Sequence, residues 1–85
     1  MLLEIETPNA TLYKGKVNLI RVPGSKGSFA VMKNHAPLVS TLEPGQIKVV
    51  EADKSEVFFE LSEMGVVEVK KNHVIVLADS IKKVE

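Results

Sequence analysis

The chain has 85 residues, 11 Lys plus Arg against 11 Asp plus Glu, two His and no Cys. A single domain of that length buries only ~60–65% of its unfolded surface, which leaves no spare core behind a separate catalytic cleft. The lack of Cys excludes disulfide staples and thiolate-bound metal, and a formal net charge of +0 denies the chain the cationic excess on which nucleic-acid affinity rests.

Hydrophobic residues make up 45% of the chain, enough for a core held by apolar packing alone. Met1-Leu2-Leu3-Glu4 meets an acid at its fourth residue, unlike a secretory signal. No apolar run approaches the ~20 residues that span a bilayer, so a soluble protein is expected, one free to sit on a membrane complex without inserting.

Apolar and polar residues alternate with period two and helical spacing is rare, so the expected elements are strands. Leu3, Ile5 and Thr7 share one face of a first strand, with Glu4 and Glu6 on the other as solvated charges. Residues 16–22 form a second, placing Val17 and Leu19 opposite Asn18 and Ile20. Residues 46–51 and 56–61 repeat the alternation, with Val57, Phe59 and Leu61 inward. Residues 66–70 and 74–78 complete the set.

Turn formers separate these runs: Thr7-Pro8-Asn9, Pro23-Gly24-Ser25-Lys26-Gly27, Glu43-Pro44-Gly45, Ala52-Asp53-Lys54 and Lys71-Asn72. Pro44-Gly45 suits the centre of a type II turn. A turn every ~8–12 residues favours an all-β sandwich or barrel, in one domain spanning residues 1–85. Two uncharged runs exceed what one small core needs. Val74-Ile75-Val76-Leu77-Ala78 is apolar on both faces, which suits a covered core strand or one whose outer face docks on another protein. Ala36-Pro37-Leu38-Val39-Ser40-Thr41-Leu42 is the second.

Chemistry-bearing constellations are sparse. His35 and His73 have no His, Asp or Glu at i, i+4 spacing, so hydrogen bonding is expected of them and metal ligation is not. No G-x-S-x-G elbow surrounds any Ser. In Gly24-Ser25-Lys26-Gly27-Ser28 the Lys precedes the second Gly and a β run follows, so a tight turn with Gly at positive φ is expected, not a phosphate loop. Val31-Met32-Lys33 invites comparison with biotinyl or lipoyl carrier domains, which present a modifiable lysine at a hairpin tip. Here the chain continues Asn34-His35-Ala36-Pro37 without a returning Met, and Lys33 is not centred between matched strands.

The order Val22-Pro23-Gly24-Ser25-Lys26-Gly27-Ser28-Phe29-Ala30-Val31, Asn34-His35-Ala36-Pro37-Leu38, Leu42-Glu43-Pro44-Gly45, Ser62-Glu63-Met64-Gly65-Val66-Val67-Glu68-Val69 and Val74-Ile75-Val76-Leu77-Ala78-Asp79 closely resembles the amino-terminal domain of the F-type ATP synthase epsilon subunit. The resemblance covers nearly the whole chain. It implies a flattened sandwich of two mostly antiparallel sheets, acting as a rotor part of the central stalk. Such a domain grips the gamma subunit and rests on the polar loops of the membrane c-ring, at the cytoplasmic face of the bacterial inner membrane. It makes and breaks no bond, and neither a cofactor nor a metal is expected.

Carried over residue by residue, Gly24, Ser25, Lys26, Gly27 and Ser28 match the loop that looks toward the c-ring. His35, Ala36, Pro37, Leu38 and Ser40 match the gamma contact. Many members carry acids where Lys26 and Ser28 stand, and a more glycine-rich turn where Glu63-Met64 stands. Many also continue into a carboxyl-terminal helical hairpin able to bind nucleotide. Residues 80–85 are too few for a helix of ~12–15 residues, so no nucleotide binding by this polypeptide is expected. Replacing Leu38 with Asp is expected to weaken gamma binding without unfolding the domain.

Overall fold

In the computed structural model, which describes residues 1–84, nine strands follow one another: β1 (Leu2–Glu6), β2 (Thr11–Val22), β3 (Phe29–Met32), β4 (Leu38–Leu42), β5 (Gly45–Glu51), β6 (Glu56–Leu61), β7 (Gly65–Lys70), β8 (His73–Ala78) and β9 (Ile81–Val84). They form the expected all-β sandwich. One sheet has the order β4-β7-β8-β1-β2 and the other β3-β2-β5-β6-β9. Every pairing is antiparallel except that of β1 with β8, which is parallel. The sheets share β2, whose first half pairs with β1 and whose second half pairs with β5 and β3.

Alternation drives burial in most strands. Leu3 and Ile5, Ile47 and Val49, Phe59 and Leu61, Val67 and Val69, and Val74 and Val76 point into the core between the sheets. No polar or charged residue is buried among the described residues. The core therefore rests on burial worth about 1.5–3 kcal/mol per large apolar side chain before chain entropy is subtracted. Tyr13 closes one side, its ring edge-on to Phe59 at 5.9 Å and 83°.

The second strand departs from the sequence expectation in two ways. It starts at Thr11, five residues earlier than expected. Its alternation also breaks: Val17 and Ile20 are both buried, whereas strict period two sets them on opposite faces. A register shift between Val17 and Leu19 is the reason, since a bulge adds one residue and resets the phase where β2 passes between sheets. The first strand ends at Glu6, so Thr7, expected on its face, already belongs to the turn, its N–H donating to Ala10 C=O at 2.9 Å.

One further correction concerns a turn, and the later strands resolve what the sequence left open. Pro44-Gly45 is no type II turn, because Gly45 lacks the positive φ that such a turn demands and is already the first residue of β5. Residues 81–84 form an edge strand on β6. The run at 74–78 is covered on one face only: Val76 is buried while Leu77 is 51% exposed. Lys71-Asn72 does make a tight hairpin, with φ of 53° and 59°, the left-handed pair that a two-residue turn requires.

Candidate functional site

The residues singled out in sequence lie around β4, the outermost strand of its sheet. The chain leaving β2 runs back along β4: Gly24 bridges Leu42, Ser25 N–H donates to Thr41 C=O at 3.0 Å, and Glu43 N–H donates to Pro23 C=O at 2.9 Å. Thr41 Oγ1 donates to Ser25 Oγ at 2.8 Å. Gly24 is required here by close approach, since a Cβ would lie 2.6 Å from Phe29 Cε1 and 2.7 Å from Gly27 O. Gly27, at φ 126°, then turns the chain, its N–H donating to Gly24 C=O.

This geometry brings the two candidate segments together in part. Gly24, Ser25, Lys26, Gly27 and Ser28 line one wall of an open groove of about 670 Å³, and Leu38 and Ser40 stand on the other with Val39 and Thr41. His35, Ala36 and Pro37 lie outside it, at the other end of β4. There Asn34, at φ 65°, donates its N–H to Asn72 Oδ1 at 2.7 Å and accepts from Asn72 Nδ2 at 3.2 Å. His35 braces its own turn: its N–H donates to Met32 C=O, and Nδ1–H donates to Ala36 C=O at 2.7 Å. A carbonyl can only accept, so this bond places a proton on Nδ1.

Leu38 and Ser40 share the inward-facing side of β4 with buried Leu42, and Leu38 packs on the core. An Asp at Leu38 therefore strains the fold as well as any contact, so that substitution does not separate binding from folding. The side chains that face outward are Val39, 69% exposed, and Thr41. Across the same outer face, register sets Thr41 beside Val66, Val66 beside Leu77 and Leu77 beside Glu6. These floor a second depression of about 390 Å³, rimmed by Pro8, Met64 and Asp79. Ile75 extends the apolar strip into the next row, between Glu68 and Glu4. The sequence signals for this face were the two uncharged runs, at 74–78 and, through Val39 and Thr41, at 36–42; Met64 and Val66 were not singled out as contact residues.

Glu4 is not a simple solvated charge. His73 Nε2 lies 2.5 Å from Glu4 Oε2 across the parallel β1–β8 pair, and this hydrogen bond holds the Glu4 carboxyl below the ordinary range. His73 borders a shallow depression with Glu68, Lys70, Lys71 and Ile75, in which no hydroxyl or thiol nucleophile stands. No group of three His, Cys, Asp or Glu able to hold a metal occurs among the described residues. Lys33 is not at a hairpin tip, since β3 pairs with β2 and β4 with β7. A Tyr13 hydroxyl donates to Glu51 Oε2 at 2.6 Å, and burial together with that carboxylate pushes its pKa upward.

Comparison with known proteins fits this architecture. Residues 1–84 match the family described as ATP synthase, Delta/Epsilon chain, beta-sandwich domain. A protein of Leptospira interrogans serogroup Icterohaemorrhagiae named ATP synthase epsilon chain is 40% identical over 77 residues, covering 91% of this chain and 59% of the relative. Similarly named proteins of Leptospira borgpetersenii and Sulfurimonas denitrificans are 45% and 43% identical, each over 91% of this chain and over 59% and 58% of their own length. The chain thus spans under two thirds of the length of the curated relatives it matches. In fold, a chain of the Euglena gracilis mitochondrial ATP synthase, OSCP/F1/c-ring, superposes with a TM-score of 0.90 at 18% identity, over 98% of this chain and 52% of that one. One from the Tetrahymena thermophila mitochondrial ATP synthase central stalk/c-ring gives 0.78 at 18% identity, over 96% and 65%.

Proposed function

This chain belongs to the ATP synthase delta/epsilon β-sandwich family, and on that premise we propose that it is a non-catalytic central-stalk subunit of a proton-translocating F-type ATP synthase. In this reading it joins the gamma subunit to the c-ring and transmits rotation between them, at the cytoplasmic face of the bacterial inner membrane. No helix among the described residues is long and apolar enough to cross a membrane; in this reading the domain is held at the membrane by its partner subunits.

The observation that carries the reading is the uncovered apolar strip on the outer face of β4, β7 and β8. Val39, Met64 and Leu77 are 69%, 66% and 51% exposed, with Val66 and Ile75 between them. Exposed apolar side chains gathered on one face of a small domain mark a protein contact. Gamma takes this face together with the neighbouring His35, Ala36, Pro37, Leu38 and Ser40. The loop of Gly24, Ser25, Lys26, Gly27 and Ser28, exposed apart from the buried Gly24, is the part offered to the c-ring. A rotor coupler needs a stiff body and area rather than perturbed acids and bases, and a core without a buried polar side chain supports that role.

The test is association. Purified chain mixed with its cognate gamma subunit at micromolar concentration is expected to elute as a one-to-one complex that captures detergent-solubilised c-ring. Absence of any gamma complex at that concentration refutes the reading.

A further inference from the structure

β4 leaves part of its backbone unpaired in a regular way. Thr41 C=O and Glu43 N–H bond to the Pro23–Ser25 side, away from β7. Since successive residues of a strand address opposite edges, Leu38, Ser40 and Leu42 carry the ladder to β7. Val39 N–H, Val39 C=O and Thr41 N–H then face the groove, and no partner meets them among the described residues. Pro37, the preceding position of the same phase, has no N–H to leave unpaired.

Such an edge is normally guarded by charge. β9, at the edge of the other sheet, carries Lys82 and Lys83 among its four residues. β4, Leu-Val-Ser-Thr-Leu, carries none, and neither does β3 on the far side of the groove. The fold itself demonstrates that this edge takes a strand: residues 23–25 pair antiparallel with it at Gly24 and Leu42, until the Gly24–Gly27 turn leads the chain away. The ladder stops after one bridge, and the groove occupies the place where the next residues of a strand would lie.

We propose that an extended segment of the partner subunit that contacts β4 completes this ladder, adding itself antiparallel to β4 from Thr41 back toward Pro37. This rests on the assignment of β4 to the partner contact above. The occupant is a stretch of about three or four residues in β conformation. Its inward side chain is apolar, to meet Leu38 and Phe29, and an acid suits the rim at Lys26, the one charged residue lining the groove. The uncharged run at 36–42, surplus to the core, thereby has a role as a paired edge.

Amide exchange followed by NMR, on the chain alone and saturated with cognate gamma, reads the proposal directly. The Val39 and Thr41 amides are expected to slow about tenfold or more in the complex. A complex that forms with both amides unchanged overturns the strand addition but not the central-stalk reading; no complex overturns both. Protection that grows with chain concentration without gamma assigns the edge to a second copy and also overturns the proposal. In parallel, Val39→Pro deletes only a groove-facing N–H, so it is expected to fold and to lose about tenfold or more in gamma affinity. Val39→Ala keeps that N–H and is expected to lose less. A Val39→Pro chain that fails to fold, or that binds like the parent, refutes the deduced phase or the pairing.

Discussion

Adjacent residues of β8 provide the sharpest test, because Val76 and Leu77 differ in face and in little else. Val76 is fully buried, and Leu77 is 51% exposed on the outer face between Val66 and Glu6. A domain of this length has a stability of about 4–13 kcal/mol. Val76→Asp puts an unpaired carboxylate into a core without polar partners, which costs about 4 kcal/mol or more and unfolds the chain or nearly so. Leu77→Asp forfeits only the half of the side chain already covered, about 1 kcal/mol, plus a few tenths from the like charge of Glu6 opposite. That lowers the melting temperature by about 5–10 °C and leaves the fold intact. Docking is affected more: the exposed half of Leu77 is no longer buried on binding and a carboxylate must be desolvated, together about 3 kcal/mol, or roughly 100-fold in affinity for gamma. Urea denaturation followed by circular dichroism and titration calorimetry with gamma measure the two effects separately. Unfolding of Leu77→Asp to the same degree as Val76→Asp shows that this face is core. A folded Leu77→Asp that binds gamma like the parent removes the face from the contact.

Other expectations concern stability and pH. Gly24→Ala forces a methyl to within 2.6 Å of Phe29 Cε1, and is expected to cost about 1–3 kcal/mol by urea denaturation, with loss of the nuclear Overhauser contacts between Ser25 and Thr41. Asn72→Ala removes two bonds to Asn34 and places Ala at φ 59°; a loss of about 1–2 kcal/mol is expected by the same assay. Tyr13→Phe removes the bond to Glu51 and is expected to cost about 1 kcal/mol. Because the Tyr13 pKa is raised on folding from an ordinary 10.0, the unfolded chain releases that proton first. Stability therefore falls as pH rises above 10 in the parent, and less so in Tyr13→Phe. Glu4 has the opposite sign: its folded value is lowered from 4.5 by the bond to His73, so its contribution is present above pH 4.5 and is lost as pH falls below it, a limb that Glu4→Gln should flatten.

Period-two alternation and regular turns were enough to expect an all-β sandwich or barrel and to locate most of its strands, because each strand in a layered fold must hide one face and expose the other; the resemblance implied the sandwich. Leu3 with Ile5, and Phe59 with Leu61, were legible for that reason. The family resemblance rested on ordered motifs and was equally a property of the sequence. Alternation could not foresee the bulge at Val17–Leu19, since a bulge is stabilised by the crossing of β2 between sheets and leaves no composition of its own. Nor could it find β9, whose Ile-Lys-Lys-Val reads as a tail until β6 offers it an edge.

For the candidate site the division is similar. Sequence alone identified a loop, a His-Ala-Pro-Leu segment and two apolar runs too many for one small core. Which side chains of those runs are available to a partner is a matter of register and layer order: Leu38 packs on the core while Val39 projects outward, and Val76 is sealed while Leu77 lies open. A shift of one residue in pairing would exchange them. The strand pairings that set that register align residues far apart along the chain, such as Leu38 with Val69 and Glu4 with Ile75, and only their convergence in the folded sheets decides it.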